Sequence, residues 1–303
     1  MTIAITGSSG FLGKALLRIL FDKKCKIICL VREESHAENF SSPDFITYSN
    51  KLNDDSVIKQ LNKFHPDVFI HCAWNGTVGS TRNESYQLNY NIPLSIESVL
   101  LAHAIGCKQW IGTGSQAEYG NKNKMIVESD PANPNSLYGK AKLISGILAL
   151  ELCSRLNMKG VWNRIFSLYG RGDNEKYFIP YIINSLIKNQ QPELTNCEQE
   201  WDYIYVDDAA EAIYFQILNS CEGIFNICSG KTESLRKVAE LIQSLLGNNK
   251  KIQFGTLPYS KNQNMFLSGS SDKLRKETGW SPKFTLEEGL KQTINYSLKN
   301  ESI

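Results

Sequence analysis

The sequence predicts an α/β protein, with a doubly wound parallel sheet followed by a smaller C-terminal α/β lobe. Two observations carry that reading. Short apolar runs rich in β-branched residues alternate with stretches whose apolar residues recur at helical spacing, the order that builds βαβ units. The strand-like runs are apolar throughout rather than alternating, as strands covered on both faces are. At 303 residues and 42% hydrophobic, the chain can bury a large core, as two domains or one enlarged one.

Residues 3–6 read as a short buried strand, and 11–21 carry apolar residues at helical spacing. Residues 25–31 (CKIICLV) form a continuous apolar strand, 45–48 a weaker one and 56–64 a helix. DVFIHC at 67–72 is a strand that follows a Pro. Residues 85–105 read as one long helix with few charges, 108–113 as a strand, 136–156 as a second long helix and 159–166 as a strand. The pattern then changes. Residues 167–200 contain Gly, Pro, Asn and Gln, with one helix near 179–188. A strand–helix pair returns at 203–217, a strand follows at 223–227, and 235–246 and 286–299 are helices.

Composition narrows the function classes. Lys plus Arg total 33 against 31 for Asp plus Glu, a net charge of +2, so strong electrostatic binding to nucleic acid is not expected. No apolar run approaches the roughly 20 residues of a membrane span. The start, TIAITGSSGFLG, lacks the basic segment and small-residue cleavage site of a secretion signal. Eight Cys are scattered without a CxxC pair or a nearby His cluster, which reads as thiols in a reducing compartment rather than a disulfide or metal framework. The expectation is a soluble cytoplasmic protein with no metal.

Gly7, Gly10 and Gly13 form TGSSGFLG between a buried strand and a helix. Glycine there permits a tight turn and close approach to a pyrophosphate held at the helix N-terminus. This is the Rossmann arrangement, with Ser9, Phe11 and Leu12 supplied by the same loop. The division that follows is a dinucleotide-binding domain at 1–165 and a substrate lobe at 166–303, with segments around 203–228 returning to the sheet. At the end of the second strand, an Asp or Glu would bind the adenosine ribose of NAD. Val31 stands there, followed by Arg32. A neutral residue and then a cation suit the 2′-phosphate of NADP, with NAD as the alternative. Glu33 and Glu34 could bind ribose if the register slips.

Tyr138 and Lys142 form YGKAK, and residues i and i+4 share one helix face. A neighbouring ammonium stabilises a phenolate and is expected to bring the phenol from about 10 towards neutrality, where it can exchange protons. Ser115, in GTGSQAEYG, lies just after a predicted strand, where α/β folds place ligands. Its hydroxyl could bond a reacting oxygen.

These motifs, in this order, resemble those of the extended short-chain dehydrogenase/reductases, and within them the nucleotide-sugar epimerase/dehydratase branch. YQLNYN with Asn89, RIFSLYGRGD at 164–173, YIYVDDAAEAI at 203–213, FNICSGK at 225–231 and GWSPKFTLEEGL at 279–290 extend the resemblance nearly end to end. The resemblance implies that Tyr138 is the acid/base, that Lys142 orients it and holds the cofactor ribose, and that Ser115 polarises the sugar oxygen. Asn89, Cys72, Ala73 and Ile165 are expected beside the cofactor. Trp74, Asn75 and Thr77 are expected to wall the sugar pocket, and Tyr177 and Phe178 to approach from the lobe, although packing alone would also explain them. His71 reads as a buried strand end.

The two places after Ser115 hold Gln116 and Ala117, where related dehydratases carry an Asp–Glu pair and related 3,5-epimerases a Cys. Neither residue exchanges protons, so redox at one carbon remains. The reading is reduction of a 4-keto-6-deoxyhexose nucleotide by NADPH; C4 epimerisation with tightly bound NAD is the alternative. A non-catalytic dinucleotide sensor is less favoured because Ser115, Tyr138 and Lys142 are all present. Glu118 either faces the substrate or forms a salt bridge beside the loop. Ser167 and Trp201 stand where relatives often carry Asn and Arg for the nucleotide phosphates. Arg171 or Arg164 is expected to supply that charge, and Trp201 to pack on a base or ribose or in the lobe core. The two long helices are expected to pair with a second copy in a homodimer.

Overall fold

The first apolar run forms β1 (Thr2–Thr6), and Gly10 starts α1 (Phe11–Asp22). β2 (Lys26–Arg32), β3 (Asp44–Tyr48), α2 (Asp55–Leu61) and β4 (Val68–His71) follow. Next come α3 (Ile92–Ala104), β5 (Gln109–Ser115), β6 (Met125–Ile126), α4 (Leu137–Arg155) and β7 (Lys159–Ile165). The second half adds β8 (Ser167–Tyr169), α5 (Phe178–Ile187), β9 (Glu200–Trp201), β10 (Tyr203–Tyr205), α6 (Val206–Leu218) and β11 (Gly223–Ile227). It closes with β12 (Glu233–Ser234), α7 (Leu235–Leu245), β13 (Phe266–Gly269), α8 (Asp272–Thr278) and α9 (Leu286–Glu301). The structure is a computed structural model and describes residues 1–32, 44–48, 51–248, 251–261 and 263–301. Glu33 and Glu34 lie outside the described residues.

Among the described residues the main sheet runs β11-β7-β5-β4-β1-β2-β3, every pairing parallel. The chain starts at β1, moves outward to β3, then crosses to build the other half from β4. The order therefore reverses between β1 and β4, whose last residues Thr6 and His71 are register partners. Doubly wound sheets bind ligands at the carboxyl ends of such neighbours. One face of the sheet buries Leu16 and Leu20 of α1 and Ala209 and Ile213 of α6 against Ile3 and Ile70. The other buries Val99 and Leu101 of α3 and Ala149 of α4 against Phe69, Trp110 and Trp162. Each fully buried Leu or Val contributes roughly 1.5–3 kcal/mol, and this double cover explains why the strands read as unbroken apolar runs.

Three differences from the sequence reading have local causes. The stretch read as one helix over 85–105 is α-helical only from Ile92 and is preceded by a π turn at Gln87–Asn91; Pro93, which has no N–H to donate, fits the first turn of α3. Residues 167–200 hold β8 as well as the helix. Of the 203–228 stretch, β11 joins the main sheet beside β7, whereas β10 pairs with β8 in a separate two-stranded sheet. A further small sheet runs β12-β9-β13-β6. Its strands have two to four residues, too few to show a period. The lobe closes on its own core of Ile182, Ile183, Val238, Ile242 and Leu290.

All eight cysteines are free thiols. Among the described residues no helix is long and apolar enough to cross a membrane, and no group of His, Cys, Asp or Glu is placed to hold a metal ion.

Candidate active site

β1 turns into α1 so tightly that two glycines cannot be replaced. Gly7 has φ +72°, and a Cβ on it would lie 2.5 Å from the Ala73 nitrogen. A Cβ on Gly13 would lie 2.0 Å from the Gly7 carbonyl oxygen. No side chain caps the N-terminus of α1, so its first N–H groups and the helix dipole are presented to an anion. A cavity of about 770 Å³ opens beside this turn. Its wall includes Gly7, Gly10, Phe11, Leu12 and Gly13 from the loop, Cys72 and Trp74 from beyond β4, and Ser115, Gln116, Tyr138, Lys142 and Ile165. The lobe adds Ser167, Tyr177, Phe178 and Trp201. A glycine cradle under an uncapped helix end, opening towards a Ser–Tyr–Lys group, fits a nicotinamide dinucleotide.

The three reactive side chains come from two elements. Ser115 ends β5 and begins a short turn, where its Oγ accepts from the Ala117 N–H (3.1 Å) and its own N–H donates to Glu118 Oε1 (2.8 Å). Ser136 caps α4 by accepting from the Gly139 N–H (3.1 Å), which fixes Tyr138 and Lys142 one turn apart. The phenol of Tyr138 is on the same wall as Ser115, whose hydroxyl favours the ionised form of the phenol. Lys142 Nζ donates to the Thr113 carbonyl (2.6 Å) and lies 3.6 Å from the centre of the Trp74 ring, against 5.9 Å for the Tyr138 ring. Trp74 meets Tyr138 edge to face at 6.0 Å.

The electrostatics correct one expectation. Tyr138 is not drawn towards neutrality: burial pushes the phenol up to about 12, with the Ser115 hydroxyl and the Arg82 charge opposing. Lys142 is itself pushed down to about 7 by burial, against the pull of Glu118 and Cys72. Desolvation disfavours the charged form of both, so Lys142 lends the phenol little charge above neutral pH.

Other predicted site residues fall elsewhere. Glu118 does not reach the cavity. It is fully buried behind Ser115, where it accepts from Trp162 Nε1 (3.0 Å) and pairs with Arg164 Nε (2.8 Å). The salt bridge was one of the two roles open to it, and the substrate contact was not realised. Arg164, 5% exposed, is thereby removed from any phosphate. Arg171 is likewise off the wall, paired with Asp207, which also holds Arg18. Asn89 is exposed, because the π turn directs Asn91 inward instead. Asn91 accepts from the Asn75 N–H (3.0 Å) and donates to its carbonyl (2.9 Å). Ser9 and Arg32 are exposed, Arg32 at the end of β2, and Ala73 backs the Gly7 turn; none is on the cavity wall. His71 is buried, bonded to Thr6 (2.9 Å) and Ser95 (3.3 Å) and held down to about 3 by desolvation. It is neutral, as a strand-end residue. Trp201 donates through Nε1 to Ser167 Oγ (2.7 Å) on the lobe wall, and Tyr177 reaches the Thr77 carbonyl (3.3 Å).

No role is assigned to Arg82, Gln87 or Asp173 from sequence alone. Gln87 ties Trp74 Nε1 (2.9 Å) to the loop carbonyl of Gly76 (2.6 Å); its i,i+4 relation to Asn91 was the available signal. Asp173 lies on the cavity wall with its carboxyl pushed up to about 7 by burial.

The NAD dependent epimerase/dehydratase family matches residues 3–228. A putative UDP-glucose 4-epimerase of Methanocaldococcus jannaschii is 26% identical over 98% of this chain and 99% of its own. A dTDP-4-dehydro-6-deoxyglucose reductase of Escherichia coli is 27% identical over 96% of both. Among solved structures, a UDP-N-acetylglucosamine 4-epimerase of Methanobrevibacter ruminantium has a TM-score of 0.87 at 21% identity, covering 99% of this chain and 98% of its own.

Proposed function

The chain belongs to the NAD-dependent epimerase/dehydratase family, and from that premise we propose that it reduces a nucleotide-activated 4-keto-6-deoxyhexose at C4 with NADPH. The carrying observation is the wall that joins Ser115, Tyr138 and Lys142 while placing Gln116, an amide, beside them. Ala117 next in line is buried and inert. Beside Ser115 and Tyr138 the two places where elimination would need an acid and a base thus hold an amide and a methyl group; Asp173, the other carboxyl on the wall, stands on the lobe side. Val31 without a carboxylate and Arg32 after it support NADPH.

Ser115 donates to the keto oxygen and fixes it near the phenol. Tyr138 Oη–H breaks as the proton passes to the developing alkoxide, and the phenolate regains a proton from water. Lys142 and the Gly7–Gly13 turn hold the ribose and pyrophosphate of the dinucleotide. The bound nicotinamide supplies the hydride that the protein cannot. Trp201 and Ser167 contact the nucleotide from the lobe.

The test is to purify the protein, extract any bound nucleotide and add a dTDP-4-keto-6-deoxyhexose with NADPH. Substrate-dependent NADPH consumption by protein that carries no bound dinucleotide is expected. Retained NAD, with interconversion of C4 epimers and no net consumption, would overturn the reductase reading in favour of the epimerase.

We also propose a homodimer. Ile144, Ile147 and Leu148 of α4 are 41–58% exposed at i, i+3, i+4 spacing, and Leu100 of the adjoining α3 is 38% exposed. Such a stripe on paired helices is an association surface. Light scattering is expected to give twice the chain mass, and Ile147→Asp to halve it; a monomer in the unmodified protein would reject the dimer.

A further inference from the structure

We propose that Arg82 is the positioning cation of Tyr138: it holds the phenol ring against Ser115 and stabilises the phenolate left once the proton has moved to substrate. This rests on Tyr138 being the acid/base of the proposed reduction. It adds a residue that no motif marks, on a different segment from Ser115, Tyr138 and Lys142.

The geometry is specific. Arg82 belongs to the one-turn 3₁₀ segment Gly79–Asn83 and lines the same cavity. Its Cζ lies 4.6 Å from the centre of the Tyr138 ring, within the roughly 6 Å over which an aromatic face attracts a cation. The turn is anchored on both sides. Asn83 Oδ1 accepts from the Leu137 N–H (3.1 Å), the residue just before Tyr138. Gln87 Nε2 donates to the Thr81 carbonyl (3.1 Å), and Tyr86 Oη donates to the same atom (3.2 Å). The turn that carries the guanidinium is therefore tied to the Leu137 N–H of α4 and to the side chains of Tyr86 and Gln87. The Arg82 Nε is buried with no hydrogen-bond partner among the described residues. No carboxylate is paired with it among them, so its charge remains available to the ring it covers.

The groups facing the phenol come from every neighbouring element. Ser115 at the end of β5 and Arg82 on the turn favour the phenolate; Tyr177 ahead of α5 and Glu118 behind β5 oppose it. Lys142 on the same helix is turned to the Thr113 carbonyl and the Trp74 face. Of the two cations near the ring, Arg82 is the closer.

The experiment compares Arg82→Met and Arg82→Lys in protein labelled at tyrosine Cζ with ¹³C, with the Tyr138 signal assigned by its loss in Tyr138→Phe. Titration is followed without substrate from about pH 8 into the alkaline range where the Tyr138 signal of the unmodified protein moves, and the phenolate fraction is compared at a shared pH. Arg82→Met is expected to move Tyr138 ionisation up by about one unit, a tenfold fall in phenolate at a given pH. Arg82→Lys is expected to recover most of that shift. Circular dichroism and dinucleotide binding report whether each variant is folded. A Tyr138 signal that titrates identically in folded Arg82→Met overturns the proposal. So does a raised KM for the nucleotide sugar with an unmoved titration, which would make Arg82 a substrate ligand only. Because the titration uses no substrate, a shifted signal in a protein that reduces no 4-keto sugar would reject the reductase reading and leave the Arg82–Tyr138 pairing standing.

Discussion

Tyr138→Phe is expected to lower kcat for 4-keto reduction on the order of 10²- to 10⁴-fold, the range a positioned general acid supplies. The change removes one oxygen and leaves the ring where it packs, edge to face on Trp74 and under Arg82. Dinucleotide affinity should then change by no more than about 5-fold, the worth of one hydrogen bond, because the Gly7–Gly13 turn and Lys142 are untouched. The protonation state sharpens the expectation. With its pKa pushed up to about 12, Tyr138 keeps its proton at neutral pH, as a proton donor must. Reduction should lose no rate through Tyr138 ionisation until strongly alkaline pH. The reverse oxidation needs the phenolate and should rise about tenfold per pH unit below that pKa. Steady-state rates read from nicotinamide absorbance, with binding measured separately by fluorescence, check both. Retained turnover in Tyr138→Phe would remove the residue from its role.

The legible parts of this molecule were those written in contiguous sequence. β1, the glycine turn and α1 form one unbroken segment, so strand, loop and helix could be read together and the pyrophosphate cradle with them. Ser115 could be placed because a strand ends there, and Tyr138 with Lys142 because residues four apart on a helix share a face. What escaped depends on contacts between distant residues or on irregular backbone. The partner of Glu118 is Arg164, 46 residues away on β7, and no local pattern couples them, so the sequence alone leaves Arg164 open, with Arg171, to a phosphate. Asn89 and Asn91 differ by two positions, and a π turn decides which faces inward. Arg82 sits on a 3₁₀ turn with no periodicity, and its meaning comes only from the ring above it. The phenol pKa lies above its ordinary value, opposite to what the spacing predicts, because spacing shows that a lysine is near but not that burial weakens the lysine too.

Glu118→Ala is expected to destabilise the protein by roughly 3–5 kcal/mol, the penalty for leaving one half of a buried ion pair unmatched. Side-chain exposure is 0% for Glu118 and 6% for Arg164, so water cannot replace the lost carboxylate. The same carboxylate accepts from the Ser115 N–H and from Trp162 Nε1, so Ser115 should lose its fixed position and kcat should fall with it. Burial raises the Glu118 pKa while Arg164 lowers it. A carboxyl whose folded pKa stands above its unfolded one favours the fold at low pH, and that contribution is lost as pH rises through the folded pKa. The Arg164 charge is the largest influence opposing that rise. Glu118→Gln keeps acceptor and shape but loses the carboxylate charge, and should fall between wild type and Glu118→Ala. Adding Arg164→Met to Glu118→Gln removes the orphaned cation and should recover part of the stability, since exchanging both partners costs less than breaking the pair. Urea unfolding at neutral pH measures all four proteins. If the double variant were no more stable than Glu118→Gln, charge compensation would not be what this pair provides, and the support beneath Ser115 would come from the two hydrogen bonds alone.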